Sequence, residues 1–582
     1  MELVDSIILV SRADSEPGHP DEAAGYSTTF EAKTIGVPLP KRLWISLLLW
    51  ILVTLTSTLE LQARPESDQE KYVLIHLDSV SSDYLAQEMK AGHLPNLSET
   101  FQNHGIIPEA ITYFPSKTPT VINSLREGLS VAESTLVSWA GSHTASGKPA
   151  SAFSTFSEMI RSKHRLAATN LVYGIPGLHW LGGLALSNLP DLIDDYKVLE
   201  FYWYPVDTAG HFYGEDAYLK RLRQFDRQFG RMVKRLDEDV NLIVYADHGM
   251  SFGEGIDTHG QIQESISGHY ETVSYPNVYL NQPEQADSLS RVILEETEID
   301  FVFFRSGESE VRGYHVGGEV QFLEIAGKIF YRFEGSDPFG YGQRGYKGQP
   351  LSPDEWLEFT YDMQYPVVPV NLINLLSNPA AGDIITLLDD DQFSQTFYSR
   401  RGNHGGVTRR DITVPVLLRG PELEWLYDRQ TLWLPELFIL LDDVPFGSRP
   451  AREEHTVSGR VEPASGHSAY SVELSPAYRW RLGAEALVSE RFGSAAYQAW
   501  GEFDLLSSFL SRLWVGAGIE TIRNGVVKPM ALLRYDLRIR SLTARATLST
   551  AGHHRFSLEW RMAEPVSLQV TDFKSVGLRL HF

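Results

Sequence analysis

The sequence predicts an α/β domain with a β-rich insertion, followed by an all-β domain that closes into a small barrel. Three observations carry this. Between Lys71 and about Pro450, short apolar runs alternate with longer amphipathic stretches. From about Tyr270 to Tyr341 the texture changes to alternating, strand-like runs with glycine turns, and after Ser468 the helical period disappears and two-residue alternation repeats to Phe582. The chain has 582 residues, 43% apolar and 22% charged, which is enough for two or three globular units.

Taken in order, residues 1–64 are an extension followed by a signal or anchor. The first forty residues are polar and lack a sustained period, so they read as an unstructured extension or an early start. Lys41 and Arg42 then precede an uncharged run from Leu43 to Leu59, suited to a signal h-region followed by Ala63, or to an uncleaved anchor. Export is the expected route, to the periplasm or the outer membrane. The domain over 65–450 opens with the strand KYVLIHLD, with VLEFYWYPVD and NLIVYAD as later strands, each ending on an acidic residue. The segments SAFSTFSEMIRSKH and DAYLKRLRQFDRQFGRMVKRLDED return apolar residues every three or four positions and are expected to be helices on that sheet. A polar stretch at 451–467 reads as a linker, and 468–582 as about eight strands.

Composition narrows the chemistry. A net charge of -24 lacks the basic footprint that nucleic-acid binding requires, so none is expected. With no cysteine, thiol chemistry and disulfides are excluded, and histidine and carboxylate remain as strong metal ligands.

Five separated stretches supply such groups: Asp78 in YVLIHLD, Thr118 in FPSKTPT, Asp207 and His211 in YPVDTAGH, Asp247 and His248 in LIVYADHGM, and His404 in RGNHGG. A lone Asp at a strand end is usually a cap or turn residue. Here the conjunction matters. DxxxH sets two ligands one helical turn apart, DH offers adjacent oxygen and nitrogen donors, and carboxylates beyond strand ends are where an open α/β sheet builds its site. Together they point to a two-metal hydrolytic centre. His259 and His104 have no such companions and read as surface or loop histidines.

The order Asp, Thr after a Pro-containing turn, DxxxGH, ADHGM and NHGG resembles the alkaline phosphatase superfamily, and within it the type I phosphodiesterase/nucleotide pyrophosphatase-like proteins. The resemblance spans about residues 70 to 450 and implies an alkaline-phosphatase-like central sheet flanked by helices. It also implies that Asp207, His211 and His404 hold one Zn²⁺, that Asp78, Asp247 and His248 hold the other, and that Thr118 is the nucleophile of a phosphothreonine intermediate. Lys117 and Asn123 are the candidate phosphate-binding residues, and Thr120 is the alternative nucleophile. The sequence departs from the nucleotide-cleaving members where an Asn is expected, at about Trp139. A sulfatase is disfavoured because no Cys or Ser of a formylglycine motif stands near residue 118.

In the final segment, VGLRLHF sets Val576, Leu578, Leu580 and Phe582 on one face and Gly577, Arg579 and His581 on the other. Apolar-out, polar-in alternation with a terminal aromatic is the pattern of an outer-membrane barrel; a soluble sandwich also alternates. The expected function is an exported two-zinc phosphohydrolase that cleaves phosphodiester or pyrophosphate bonds of a phosphate-ester substrate. It meets the membrane through the C-terminal domain and, if uncleaved, the N-terminal segment. The alternatives are a phosphomonoesterase or phosphonate hydrolase with the same centre, and a non-catalytic membrane-anchored binding protein.

Overall fold

The computed structural model describes residues 70–127, 130–134, 136–138, 180–191, 193, 198–439, 456–462, 467–477, 480–489, 494–507, 511–521, 526–539, 541–550, 554–563 and 566–581. The apolar run at 43–59, the helix expected over 151–164 and Trp139 lie outside the described residues.

The strands, in chain order, begin with β1 (Tyr72–Leu77), β2 (Gly105–Ile111), β3 (Val198–Trp203) and β4 (Asn241–Ala246). The inserted region then adds β5 (Glu254–Ile256), β6 (Tyr270–Ser274), β7 (Asn277–Leu280), β8 (Phe301–Gly307), β9 (Glu310–His315), β10 (Gly318–Ile325), β11 (Lys328–Gly335), β12 (Ile384–Leu387) and β13 (Gln392–Ser394). The chain returns to the first sheet with β14 (Thr413–Arg419) and β15 (Thr431–Trp433), giving the order β15-β2-β14-β4-β1-β3. The three strands that end on acidic motifs are parallel, with Leu77 level with both Trp203 and Ala246. Their carboxyl ends therefore deliver Asp78, Asp207 and Asp247 to one edge. The sheet as a whole is mixed, because β14 runs antiparallel to β4 and β2.

Strands β1 and β4 are buried at every position, as expected where helices cover both faces. On the helix Glu215–Val233, Tyr218, Leu222, Phe225 and Phe229 form the buried stripe that the sequence period marked. The insertion forms a second sheet, β11-β10-β9-β8-β12-β7-β6, over an aromatic core that includes Phe303, Phe322, Tyr331 and Trp356.

The C-terminal domain is a closed barrel of ten antiparallel strands: β16 (Thr456–Glu462), β17 (His467–Ala477), β18 (Trp480–Ser489), β19 (Ser494–Ser507), β20 (Ser511–Thr521), β21 (Val527–Ile539), β22 (Leu542–Ser549), β23 (Arg555–Ala563), β24 (Val566–Thr571) and β25 (Ser575–His581). This corrects the expected eight strands and the linker at 451–467. TVSGRVE reads as polar linker because its inward residues are Thr456, Ser458 and Arg460, yet it pairs with β17 on one side and β25 on the other. Without it two edges would stay open. The alternation of the last strand stands as expected: Val576, Leu578 and Leu580 face outward and exposed, and Arg579 is buried inside.

Candidate metal and phosphoryl-transfer site

Six predicted ligands and Thr118 converge beyond the β1, β3 and β4 ends. On one side, His211 Nε2 lies 3.2 Å from Asp207 Oδ1 and 3.2 Å from His404 Nε2. On the other, His248 Nε2 lies 3.4 Å from both Asp78 Oδ1 and Asp247 Oδ2. The two groups touch, since the His248 and His404 rings stack at 3.7 Å between centroids. Within each of two groups that share His248, one of Asp78, Asp247 and His248 and one of Asp207, His248 and His404, the donor atoms lie within 4.8 Å of one another.

The local backbone explains how the imidazoles are aimed. His211 Nδ1 sits 3.0 Å from the Gly402 carbonyl, His404 Nδ1 2.7 Å from that of Ser116, and His248 Nδ1 3.0 Å from that of Gly249. A carbonyl only accepts, so each Nδ1 carries the proton and each Nε2 turns a lone pair inward. Those lone pairs meet Asp78 Oδ1, Asp207 Oδ1 and Asp247 Oδ2, buried oxygens without a hydrogen bond among the described residues. Acceptors facing acceptors in a buried site are an arrangement that cations resolve, so the residues fit divalent metal bound through oxygen and nitrogen. Burial, reinforced by Asp247 and Asp207, pushes the Asp78 carboxyl well above the usual carboxylate range. Burial, with His248 and His211 beside it, pushes the His404 imidazole down to about 3.

Thr118 is the first residue of the helix Thr118–Glu127, and its hydroxyl lies 3.0 Å from His248 Nε2. The amino end of that helix favours an anion such as a phosphoryl group beside the same hydroxyl. Thr120 is fully buried and its hydroxyl has no hydrogen-bond partner among the described residues, so of the pair Thr118 is the one that touches the cluster. The Lys117 ammonium donates to the Tyr275 carbonyl, and burial brings it down to about 8. Asn123 falls on the same helix, and its side chain lies outside the described residues. His259 and His104 are exposed.

Sequence reasoning missed three supporting residues. His76, on the same face of β1 as Asp78, places Nε2 3.1 Å from Asp247 Oδ1 and stacks on Tyr245 at 4.9 Å. Strand alternation in HLD could have found it. Ser116 accepts from Gly405 N and donates to the Gly406 carbonyl, each at 3.0 Å, which ties the nucleophile turn to the His404 loop. Asp411 accepts from Ser251 Oγ at 2.7 Å and from Gly406 N at 2.8 Å, and its own carbonyl accepts from Gly249 N at 2.8 Å. It thereby joins the His248 and His404 loops. Asp411→Ala strands two buried donors, a loss of about 2–4 kcal/mol at roughly 1–2 kcal/mol each. Its expected signature is a lower melting temperature together with lower bound metal by elemental analysis.

Gly405 is required by space and conformation. Its φ is +111°, and a Cβ there would stand 2.7 Å from Lys117 Cε. Gly405→Ala is expected to displace His404 and lower activity without loss of the barrel, read by circular dichroism beside kinetics.

Residues 134–298 match the family model described as type I phosphodiesterase / nucleotide pyrophosphatase. The α/β domain is alkaline-phosphatase-like. The matched stretch holds Asp207, His211, Asp247 and His248, while Asp78, Thr118 and His404 lie outside it. The match supports phosphoester hydrolysis by this phosphodiesterase-like domain. A stretch of 126 residues is 27% identical to the catalytic subunit of GPI ethanolamine phosphate transferase 3 of Mus musculus, covering 21% of this chain and 12% of that protein. The chain thus spans about an eighth of that relative's length. Among solved structures, the murine and human ectonucleotide pyrophosphatase / phosphodiesterase 5 each align at 14% identity and a TM-score of 0.41, over 66% of this chain and 97% of theirs.

Proposed function

We propose that this protein is an exported phosphodiesterase that works through two zinc ions and a phosphothreonine intermediate on Thr118. The observation that carries the reading is the contact between the Thr118 hydroxyl and His248 Nε2, at the seam between two sets of oxygen and nitrogen donors. Asp207, His211 and His404 would hold one ion, and Asp78, Asp247 and His248 the other. Bound there, zinc would lower the hydroxyl pKa and neutralise charge developing on the phosphoryl oxygens.

The chain's own residues supply the rest. Thr118 Oγ1 attacks phosphorus, the P–O bond to the leaving alcohol breaks, and water later releases the phosphoryl group, so two inversions give retention. The hydrogen bonds from Nδ1 of the three histidines hold their rings through both steps, and the amino end of the Thr118 helix faces the anion.

The membrane reading is supported by the orientation of the barrel side chains. Trp480, Leu482, Ile519, Leu533, Trp560 and Leu578 are exposed, whereas Glu473, Glu502 and Arg534 are buried within. That is the inverse of a soluble protein and suits a lipid surround. In this reading the barrel tethers the phosphodiesterase-like domain to the outer membrane.

The test is turnover of bis-p-nitrophenyl phosphate against p-nitrophenyl phosphate by the full chain in detergent with added Zn²⁺. Preference for the diester is expected. Preference for the monoester would reassign the enzyme as a phosphatase, and turnover of neither with metal bound would favour a binding role.

A further inference from the structure

We infer that the barrel lumen is sealed by ion pairs running across its diameter, so that the domain anchors without conducting. The inference rests on the membrane reading above. In a closed barrel of ten strands, the strand five places along lies on the opposite wall. Glu485 on β18 and Arg555 on β23 stand in that relation, and they pair through two hydrogen bonds of 2.9 Å each. Arg460 on β16 adds a third bond to Glu485, also at 2.9 Å.

A second layer is centred on Glu473 of β17, 6% exposed. Arg545 approaches it at 3.7 Å from β22, again five strands away. Arg579 at 3.3 Å, Arg481 at 3.4 Å and Arg534 at 3.8 Å reach it from three other strands. The Arg481 and Arg534 guanidiniums also lie over the Trp514 ring, 4.6 and 5.1 Å from its centroid. Arg534 in turn bonds Glu502 at 2.8 Å.

Contacts of this length between opposite walls bring side chains across the bore, as in the smallest barrels, and the space left among them is a cavity of about 60 Å³. A permeating ion must separate buried, mutually neutralising pairs, and an uncompensated buried charge costs several kcal/mol. Asp536 pairs with Arg545 at 2.8 Å and Glu559 with Arg579 at 3.1 Å, so acids are interspersed among the arginines and the lumen lacks the single-sign ring that draws an ion into a selective pore.

The experiment uses the full chain reconstituted into phospholipid vesicles and planar bilayers. Flotation with the vesicles together with a silent bilayer is expected. Single-channel steps from the wild-type chain in the floated fraction would overturn the seal and leave the membrane reading standing. A chain that fails to float overturns the membrane reading, and the anchor with it. Glu485→Ser combined with Arg555→Ser removes one cross-lumen pair without leaving either partner behind, and Glu473→Gln discharges the central hub. Each is expected to introduce stepwise conductance in floated protein that retains phosphodiester turnover. If both float, stay folded and remain silent, the seal does not lie in these pairs.

Discussion

Thr118→Ala lowers turnover of a phosphodiester by about a thousandfold or more, while metal content and fold stay as in the parent. The size follows from removal of the attacking atom rather than of a binding contact: residues that form a covalent intermediate act as a unit, and what survives comes from charge stabilisation and positioning alone. The variant should fold, because Thr118 stands at the first position of its helix, where alanine is tolerated, and its one side-chain hydrogen-bond partner among the described residues is His248. Bound metal measured beside kcat separates this outcome from simple collapse of the site. A variant with unaltered turnover would move the nucleophile to a metal-bound water.

Chelation has the second large effect, and it appears in stability as well as in activity. Asp78, Asp207 and Asp247 are gathered within a buried cluster whose imidazoles present lone pairs. Burial, reinforced by Asp247 and Asp207, holds the Asp78 carboxyl above the ordinary range, so the carboxylate form is disfavoured until cations compensate it. Two ions, each present at a hundred times its Kd, stabilise the folded chain by roughly 5 kcal/mol, at about 2.7 kcal/mol each. Treatment with a chelator should abolish turnover and lower the melting temperature of the α/β domain, and Zn²⁺ should restore both. An unchanged melting temperature with activity intact would show that the cluster holds no metal.

The parts of this site legible in the sequence are those fixed by local rules. A branched apolar run ending in Asp predicts both a buried strand and where its ligand emerges; β1 and β4 follow that rule with Asp78 and Asp247, whereas β3 stops at Trp203 and Asp207 stands in the first turn of the helix Pro205–Tyr213 that follows. His211 follows from helical spacing to Asp207, and His404 from its glycine turn. Asp411 and Ser116 were not legible. Their importance comes from bonds to loops over a hundred residues away in sequence, and nothing in RRDI or PSKT marks them. His76 falls between these cases, being visible by alternation but given meaning only by Asp247.

The barrel shows a different limit. Its outward face could be read from VGLRLHF, because a lipid-facing strand keeps large apolar residues on alternate positions. Its strand count could not, since β16 carries Ser458, Gly459 and Arg460 at its centre and resembles a linker until closure demands a partner for β25. The lumen network was equally hidden, because which arginine meets which glutamate depends on the barrel's register and diameter.

The most direct test of the account is the covalent step itself. Full-length protein loaded with Zn²⁺, mixed with a diester and quenched in acid within the first turnovers, is digested and its peptides read by mass spectrometry. The predicted result is an ester-phosphoryl adduct, the phosphoryl group still carrying the second alcohol of the diester, on the peptide containing Thr118, absent from Thr118→Ala. Steady turnover with no such adduct, or with the adduct on Thr120 instead, would contradict it.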